Sequence, residues 1–308
     1  MIYDELYDAS LKKAKHKIWI FSDLQQSFPE LTKRCLDISM VDFYSMGKPA
    51  EMMWYLGDAV EGANPDLLYK RTELQISAFE NTKLPLCFVM GNHDLDYPNH
   101  DSQKGKSVIL PFYEAVKMHT DWYTIEDYSK WYFKVPLGNY MVYFFSDHIA
   151  DDKSWIFHRE KIEGAEYYPN HDIFEKVRAE MSSETCDIIT CSHYSFPGGN
   201  RASEIMSKLL PLPYQHKIHF YGHAHIGDYA WAKENAYRRI SNINWHDIPQ
   251  INVSSFENIR GNTCRSVFLH IYEDNSMGIF FRNHDDHVFT ECYFPAKVKY
   301  NPKLEEFT

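Results

Sequence analysis

The 308-residue sequence lacks the features of several large protein classes. No apolar run approaches the roughly 20 residues that a helix needs to span a bilayer, so we expect no membrane partner. The six cysteines form no Cys-x-x-Cys pair, and a chain of this length needs no disulfide scaffold. The N-terminal residues are acidic with only a short apolar stretch, unlike a secretory signal. These absences predict a reduced, cytoplasmic protein.

An excess of basic charge is also missing. The sequence contains 32 Lys and Arg against 43 Asp and Glu, which gives a net charge of −11. Because DNA binding depends on basic side chains that neutralise phosphates, this balance disfavours a nucleic-acid partner. A local basic patch, or a bound metal pair with about four positive charges, would escape this count. The chain has neither a Gly-rich phosphate loop nor a Gly-x-Ser-x-Gly elbow, so no serine nucleophile is indicated.

Polar side chains follow five predicted strands, at the point where each strand ends. The strands are expected at residues 17–21, 52–56, 85–90, 188–191 and 217–221. The sequences that follow them are Ser22-Asp23, Gly57-Asp58, Gly91-Asn92-His93-Asp94, Ser192-His193 and Gly222-His223-Ala224-His225. In α/β sheets, ligands bind at the carboxyl ends of the strands, so we expect these side chains to converge on one site.

The remaining patterns predict helices between early strands and antiparallel strands later. Helices are expected at 65–81, 173–181 and 203–210, and a hairpin at 131–135 and 140–145. Later strands are expected at 250–254, 264–272, 277–282 and 288–293. This order predicts an α/β fold with two facing sheets, as one domain over 1–308 with its core at about 17–293. The stretch 95–130, with a short helix near 112–118, is either a lid or specificity insertion, or a peripheral insertion.

The order and spacing of the strand-end residues resemble the calcineurin-like metallophosphoesterase superfamily over residues 17–227. Its D-x-H, G-D, G-N-H-D/E, terminal His and G-H-x-H motifs correspond to Asp23-Leu24-Gln25, Gly57-Asp58, Gly91-Asn92-His93-Asp94, Ser192-His193 and Gly222-His223-Ala224-His225. The resemblance implies a four-layer αββα sandwich, in which helices flank two mixed β-sheets.

The resemblance also implies a two-metal site and a hydrolytic reaction. By this analogy, one divalent ion is held by Asp23, Gln25, Asp58 and His225, and the other by Asp58, Asn92, His193 and His223. A hydroxide bridging the metals would attack phosphorus in line. His93 would act at the leaving-group oxygen, and Asp94 would orient the His93 ring.

Gln25 departs from the family pattern, which has His at this position. An amide oxygen is a harder and weaker donor than imidazole, so it favours Mn²⁺ or Mg²⁺ over Zn²⁺. We therefore expect Mn²⁺, with Fe²⁺, Mg²⁺ and Zn²⁺ as alternatives. A Gln here resembles the Mn²⁺-dependent ADP-ribose/CDP-alcohol diphosphatases. In the alternative interpretation, Gln25 lies behind the metal ligands rather than among them.

Three further residues are candidate substrate contacts. Asn200 and Arg201 follow His193 in a predicted loop, where we expect them near the phosphate. His148 follows a predicted strand, where we expect it at the rim of the site. The guanidinium of an Arg suits phosphate recognition. The alternative for all three residues is a solvated loop.

The sequence thus predicts an enzyme that hydrolyses a phosphate ester or diphosphate bond. Protein phosphatases of the superfamily carry an Arg after the second motif and Glu in the third, whereas this chain has Glu61-Gly62 and Asp94. We therefore expect a small-molecule phosphate ester or a nucleotide as substrate. A nuclease acting on single-stranded nucleic acid and a non-catalytic metal-binding scaffold remain as alternatives.

Overall fold

Two mixed β-sheets form the centre of the fold. The computed structural model describes residues 2–60, 65–95, 110–125, 132–146, 171–196, 215–225, 240–241, 248–258 and 263–295, and the structural statements below concern these residues. The strands that carry the site have short, strongly apolar sequences, such as HKIWIF in the first and MMWYL in the second. Such near-continuous apolar runs are typical of strands that are buried on both faces.

The first sheet has seven strands in the order β13-β12-β11-β1-β2-β3-β4. Strands β1 to β4 run parallel to one another, whereas β11 pairs antiparallel with β1, and β12 and β13 extend this edge as an antiparallel meander. The strands are β1 His16–Phe21, β2 Met52–Leu56, β3 Leu86–Val89, β4 Trp122–Tyr123, β11 Arg265–Ile271, β12 Met277–Asn283 and β13 Val288–Tyr293.

The second sheet has six strands in the order β5-β6-β7-β8-β10-β9. The neighbours β6, β7, β8 and β10 are parallel, while β5 and β9 close the two edges in antiparallel orientation. The strands are β5 Tyr132–Leu137, β6 Tyr140–Phe145, β7 Asp187–Ser192, β8 His216–Tyr221, β9 Ile240–Ser241 and β10 Gln250–Asn252.

Helices cover the outer faces of both sheets. They are α1 Ile2–Lys13, α2 Pro29–Ser45, α3 Leu68–Thr82, α4 Leu110–Met118 and α5 His171–Ser183. An aromatic core joins the first sheet to α1–α4; within it Trp19 stacks on Phe43 of α2 at 4.4 Å. A second apolar core fills the space between the sheets. On the second sheet, the Tyr143 hydroxyl donates to Glu184, next to the end of α5.

The four-layer arrangement predicted from the sequence is confirmed. The bounds of the five site-bearing strands were predicted to within one residue. The apolar periodicity does not indicate α1 or α2, because their buried faces include the polar residues Ser10, Thr32, Ser39 and Asp42. Bidentate hydrogen bonds from Arg282 let the Asp42 carboxylate lie buried in this face.

The predicted insertion at 95–130 is in part a component of the core. Its residues 110–125 include α4, which buries Phe112 and Val116, and the edge strand β4, which pairs with β3. Residues 110–125 therefore extend the first sheet and its helical layer, and the role of the rest of this stretch as a lid or specificity element stays a prediction. The residues at 96–109 and 126–130, like the helix expected at 203–210, lie outside the described residues.

Candidate metal centre

The predicted site residues come together at the carboxyl ends of strands from both sheets. Asp23 and Gln25 follow β1, Asp58 follows β2, and Asn92 and His93 follow β3. From the second sheet, His193 follows β7, and His223 and His225 follow β8. The side chains of Asp23, Asp58 and His193 are fully buried. The two sheets therefore each contribute one half of a single polar site.

The candidate ligands form two groups that share Asp58. One group contains Asp58, His193 and His223, and the other contains Asp23, Asp58 and His225; within each, the ligand atoms lie within 4.8 Å of one another. His193 Nε2 is 3.1 Å from Asp58 Oδ2 and 3.2 Å from Asn92 Oδ1. In the other group, His225 Nε2 is 3.1 Å from Asp23 Oδ1.

Gln25 lies beside the group that contains Asp23, Asp58 and His225. Its side-chain nitrogen lies 3.5 Å from His225 Nε2. Because the nitrogen and oxygen of an amide are exchanged by a simple flip, either atom can face the position between them. The Gln25 amide thus lies beside His225, next to which the family resemblance implies a metal ligand.

Unsatisfied oxygen atoms show that the site suits cations. Among the described residues, Gln25 Oε1 is buried without a hydrogen-bond partner. Asp23 Oδ1 and Asp58 Oδ2 are buried and accept no hydrogen bond of good geometry, although the His225 and His193 rings lie 3.1 Å away. Buried polar atoms are nearly always hydrogen-bonded, and their exceptions call for a ligand or an ion. Carboxylate and amide oxygens together with imidazole nitrogens form a donor set that suits divalent ions such as Mn²⁺. The residues present therefore fit a two-metal centre.

The backbone at the site is strained. Asp23, Asp58, His223 and His225 have positive φ angles of 61°, 54°, 63° and 45°. Residues other than Gly rarely adopt this left-handed region, and such strain concentrates at functional sites. Gly57 also has φ 89°, and a Cβ atom there would lie 2.7 Å from His193 Nδ1. The glycine of this motif therefore allows the His193 ring to approach the β2 loop.

The carboxylate of Asp94 holds two of the loops together. It is buried and accepts backbone N–H bonds from Asp58, Ala59, Val60 and Gly91 at 2.7–3.0 Å. A carboxylate has about four acceptor positions, and these bonds use them. The carboxylate thus fixes the loops that carry Asp58 and Asn92, and the orientation of the His93 ring by Asp94 stays a prediction.

Two histidine rings are fixed by contacts on their other nitrogen. His193 Nδ1 lies 2.7 Å from the carbonyl oxygen of Leu56, and His225 Nδ1 lies 2.7 Å from Glu257 Oε2. Both contacts leave Nε2 facing the partner carboxylates. The sequence analysis did not identify Glu257; the available signal was a carboxylate shortly after the predicted strand at 250–254.

The paired charges shift the pKa values of these groups. Burial alone would lower the pKa of His193, but the Asp58 carboxylate outweighs it and raises that pKa to about 10. For His225, Asp23 and Glu257 likewise overcome burial and raise the pKa to about 10. Burial, aided by the charge on His193, lowers the pKa of His223 to about 4. Without bound cations, two imidazolium rings therefore balance the carboxylates.

The described residues do not include the three predicted substrate contacts. Asn200, Arg201 and His148 lie outside the described residues, so their proposed contact with substrate stays a prediction. Half-buried His93 follows Asn92 directly, and its backbone N–H donates to Asp58 Oδ1 at 2.8 Å. The main chain of His93 is thus fixed at the edge of the site.

Comparison with known families agrees with this geometry. The family model of the calcineurin-like phosphoesterases matches residues 16–227, which includes every candidate ligand. The chain belongs to this family. As a calcineurin-like phosphoesterase it is a metal-dependent hydrolase that acts on phosphoester bonds, and the family implies two divalent metal ions.

Solved structures show the same fold. A dimetal phosphatase from Danio rerio matches with a TM-score of 0.62 at 12% identity, over 92% of this chain and 99% of the other. A purple acid phosphatase from yellow lupin (Lupinus luteus) seeds matches with a TM-score of 0.54 at 13% identity, over 91% of this chain. The phosphoesterase spans 53% of that lupin chain. No curated protein matches its sequence significantly.

None of the helices in the described part of the phosphoesterase combines the length and apolar character that a membrane span requires.

Proposed function

We propose that this phosphoesterase hydrolyses a phosphate ester or diphosphate bond of a small-molecule or nucleotide-type substrate by in-line displacement. The observation that carries the proposal is that Asp58 belongs to both candidate ligand groups. A carboxylate can bridge two cations, since its oxygens offer about four lone-pair positions. Two ions held in this way can act on the attacking and leaving oxygens of one displacement.

The two ions would be held by residues of both sheets. Asp23, Gln25, Asp58 and His225 would hold the first, and Asp58, Asn92, His193 and His223 the second. When bound, such ions generate a nucleophile from water at neutral pH and neutralise charge on the phosphate. The oxygen-rich set around Gln25 favours Mn²⁺, with Mg²⁺, Fe²⁺ and Zn²⁺ as the alternatives to test.

The chain's own residues supply proton transfer and positioning. His93 lies next to Asn92, where its ring can donate a proton to the leaving oxygen. Asp94 fixes the loops of Asp58 and Asn92 through its backbone hydrogen bonds. We propose that Asn200, Arg201 and His148 contact the phosphate or its substituent.

The overall charge supports a small substrate. With a net charge of −11, the chain does not provide the excess of basic side chains that polyanion binding requires. Small phosphate esters need only the local positive charge of a metal pair. This supports a small-molecule substrate over a single-stranded nucleic acid.

The test is hydrolysis by metal-stripped protein after separate addition of Mn²⁺, Mg²⁺, Fe²⁺ and Zn²⁺. The substrates are p-nitrophenyl phosphate, bis-p-nitrophenyl phosphate, a panel of nucleoside diphosphate derivatives and a single-stranded oligonucleotide. We expect Mn²⁺ to restore turnover of small esters or diphosphates. Stoichiometric metal binding without turnover of any substrate would instead favour the scaffold, and preferred cleavage of the oligonucleotide would favour the nuclease.

A His93→Ala variant tests the mechanism. We expect kcat to fall about 100-fold or more with metal binding retained, because general acid catalysis contributes at least this much. His119→Ala is the matched control. His119 pairs with Glu80 and stacks on Trp122, and Trp122 pairs with the first residue of β3, at the end of the strand opposite to the site. Full activity in His93→Ala would contradict the assigned role.

A further inference from the structure

Glu257 is a buried carboxylate on a loop that the metal-ligand motifs do not include. It follows β10, its side chain is fully buried, and its Oε2 lies 2.7 Å from His225 Nδ1. The loop is anchored to the end of β1: the Phe256 N–H donates to the Ser22 carbonyl at 2.9 Å, and Phe256 stacks on Phe21. Glu257 is therefore held in place by the same strand end that presents Asp23.

A carboxylate on Nδ1 changes what the other ring nitrogen can do. When Nδ1 donates its proton to an acceptor, Nε2 presents its lone pair to a metal. A charged acceptor also makes the imidazole a more basic ligand than a neutral acceptor does. In this structure the two candidate ligand groups differ in this respect, because the acceptor for His225 is the Glu257 carboxylate and that for His193 is the Leu56 carbonyl.

The stronger acceptor lies in the group that has the weaker ligand. Gln25 and His225 are neighbours, with their nitrogens 3.5 Å apart, and an amide oxygen donates less charge to a cation than an imidazole does. We propose that Glu257 is a positioning residue that strengthens His225 and so offsets the weak Gln25 amide in the first metal site. The proposal rests on the two-metal site proposed above and extends it to a residue outside the family motifs.

The experiment measures Mn²⁺ binding rather than turnover. Metal-stripped protein is titrated with Mn²⁺, and electron paramagnetic resonance separates free, mononuclear and exchange-coupled dinuclear Mn²⁺. Wild-type protein should bind two ions and give the coupled signal. Glu257→Gln should keep one mononuclear ion and require about 10- to 100-fold more Mn²⁺ for the coupled signal, the usual cost of losing such a partner.

Two further variants separate compensation from a purely structural role. Adding Gln25→His to Glu257→Gln should restore the coupled signal at wild-type concentrations, because an imidazole replaces the weak amide. Asp42→Asn is the matched control: Asp42 is also a buried carboxylate on a histidine, 2.7 Å from His284 Nδ1, but it lies on α2 and outside both candidate ligand groups. It should lower the unfolding midpoint and leave both Mn²⁺ affinities unchanged.

The outcomes are distinguishable. If wild-type protein binds no Mn²⁺ or other divalent ion, the two-metal proposal itself fails. If wild type gives the coupled signal and folded Glu257→Gln gives it at the same concentration, only the role of Glu257 is overturned. A weakened Glu257→Gln that Gln25→His does not restore would overturn the compensation. Should Glu257→Gln not fold, Gln25→His alone must tighten the first site, and unchanged affinity would overturn the proposal.

Discussion

Metal uptake by the stripped protein should release protons, and the structure gives their number. His193 lies 3.1 Å from Asp58, and His225 lies between Asp23 at 3.1 Å and Glu257 at 2.7 Å. The pKa of each ring is raised to about 10, so at about pH 7.5 both are imidazolium in the absence of metal. A metal ligand must be neutral imidazole, so each ring must lose its proton when an ion binds.

The expected magnitude is about two protons for each filled dinuclear site at about pH 7.5. Displacing a proton from a group with a pKa of about 10 costs about 3 kcal/mol per ring at this pH. Metal affinity should therefore rise about tenfold per pH unit at each site between about pH 7 and 9. Asp94, with its pKa raised to about 7 by burial and by Asp58, adds only a fraction of a proton in this range.

Isothermal titration calorimetry in buffers of different ionisation enthalpy measures the released protons directly. His225→Ala should reduce the release by one proton in those molecules that still bind an ion at the other group. A release near zero in wild type, with two ions bound, would refute the reasoning, because it would mean that the rings are neutral beside their carboxylates.

Two other perturbations test the protein around the site. Burial lowers the pKa of His216, His219 and His270 to about 3. As the pH falls below about 6.5, these histidines become protonated in the unfolded chain but stay neutral in the folded protein, so the free energy of unfolding decreases. Three such groups amount to about 4 kcal/mol per pH unit below about pH 6, where the raised pKa of Asp94 opposes this by about 1 kcal/mol and those of His193 and His225 oppose it only slightly. Urea unfolding at about pH 6 and about pH 5 should show the difference. Asp94→Asn should destabilise the metal-loaded protein by about 2–5 kcal/mol, because its NH₂ group faces backbone N–H donors, and it should also lower kcat.

Unchanged urea midpoints between these pH values would show that the three histidines are not buried as neutral groups. For Asp94→Asn, calorimetry and kinetics on the same loaded sample separate stability from turnover. Wild-type stability and kcat in that variant would contradict the role assigned to the carboxylate.

The sequence predicted which side chains converge at the candidate site because each of them lies in a local pattern. Asp58 and Asn92 follow strands whose apolar runs are unambiguous, and parallel strands bring their ends to one edge. Glu257 was missed because its partner lies 32 residues away on another loop, and its position shortly after a predicted strand does not by itself distinguish it from a solvated carboxylate. Helix α2 was missed because its buried Asp42 interrupts the apolar stripe of the helix. Only the tertiary contact with Arg282 explains why a carboxylate is buried there.

The site also connects the two sheets, so its formation is coupled to the fold. The His193 ring, from the second sheet, contacts the Leu56 carbonyl of the first, and the His223 N–H donates to Asp23 Oδ2 at 3.0 Å. The strained φ angles at Asp23, Asp58, His223 and His225 lie within these same loops. Cations that bind residues of both sheets would neutralise the carboxylates, whose charge is otherwise balanced by the protonated His193 and His225 rings. Binding energy at such a site is also folding energy, so metal should stabilise the contact between the sheets as well as the reaction.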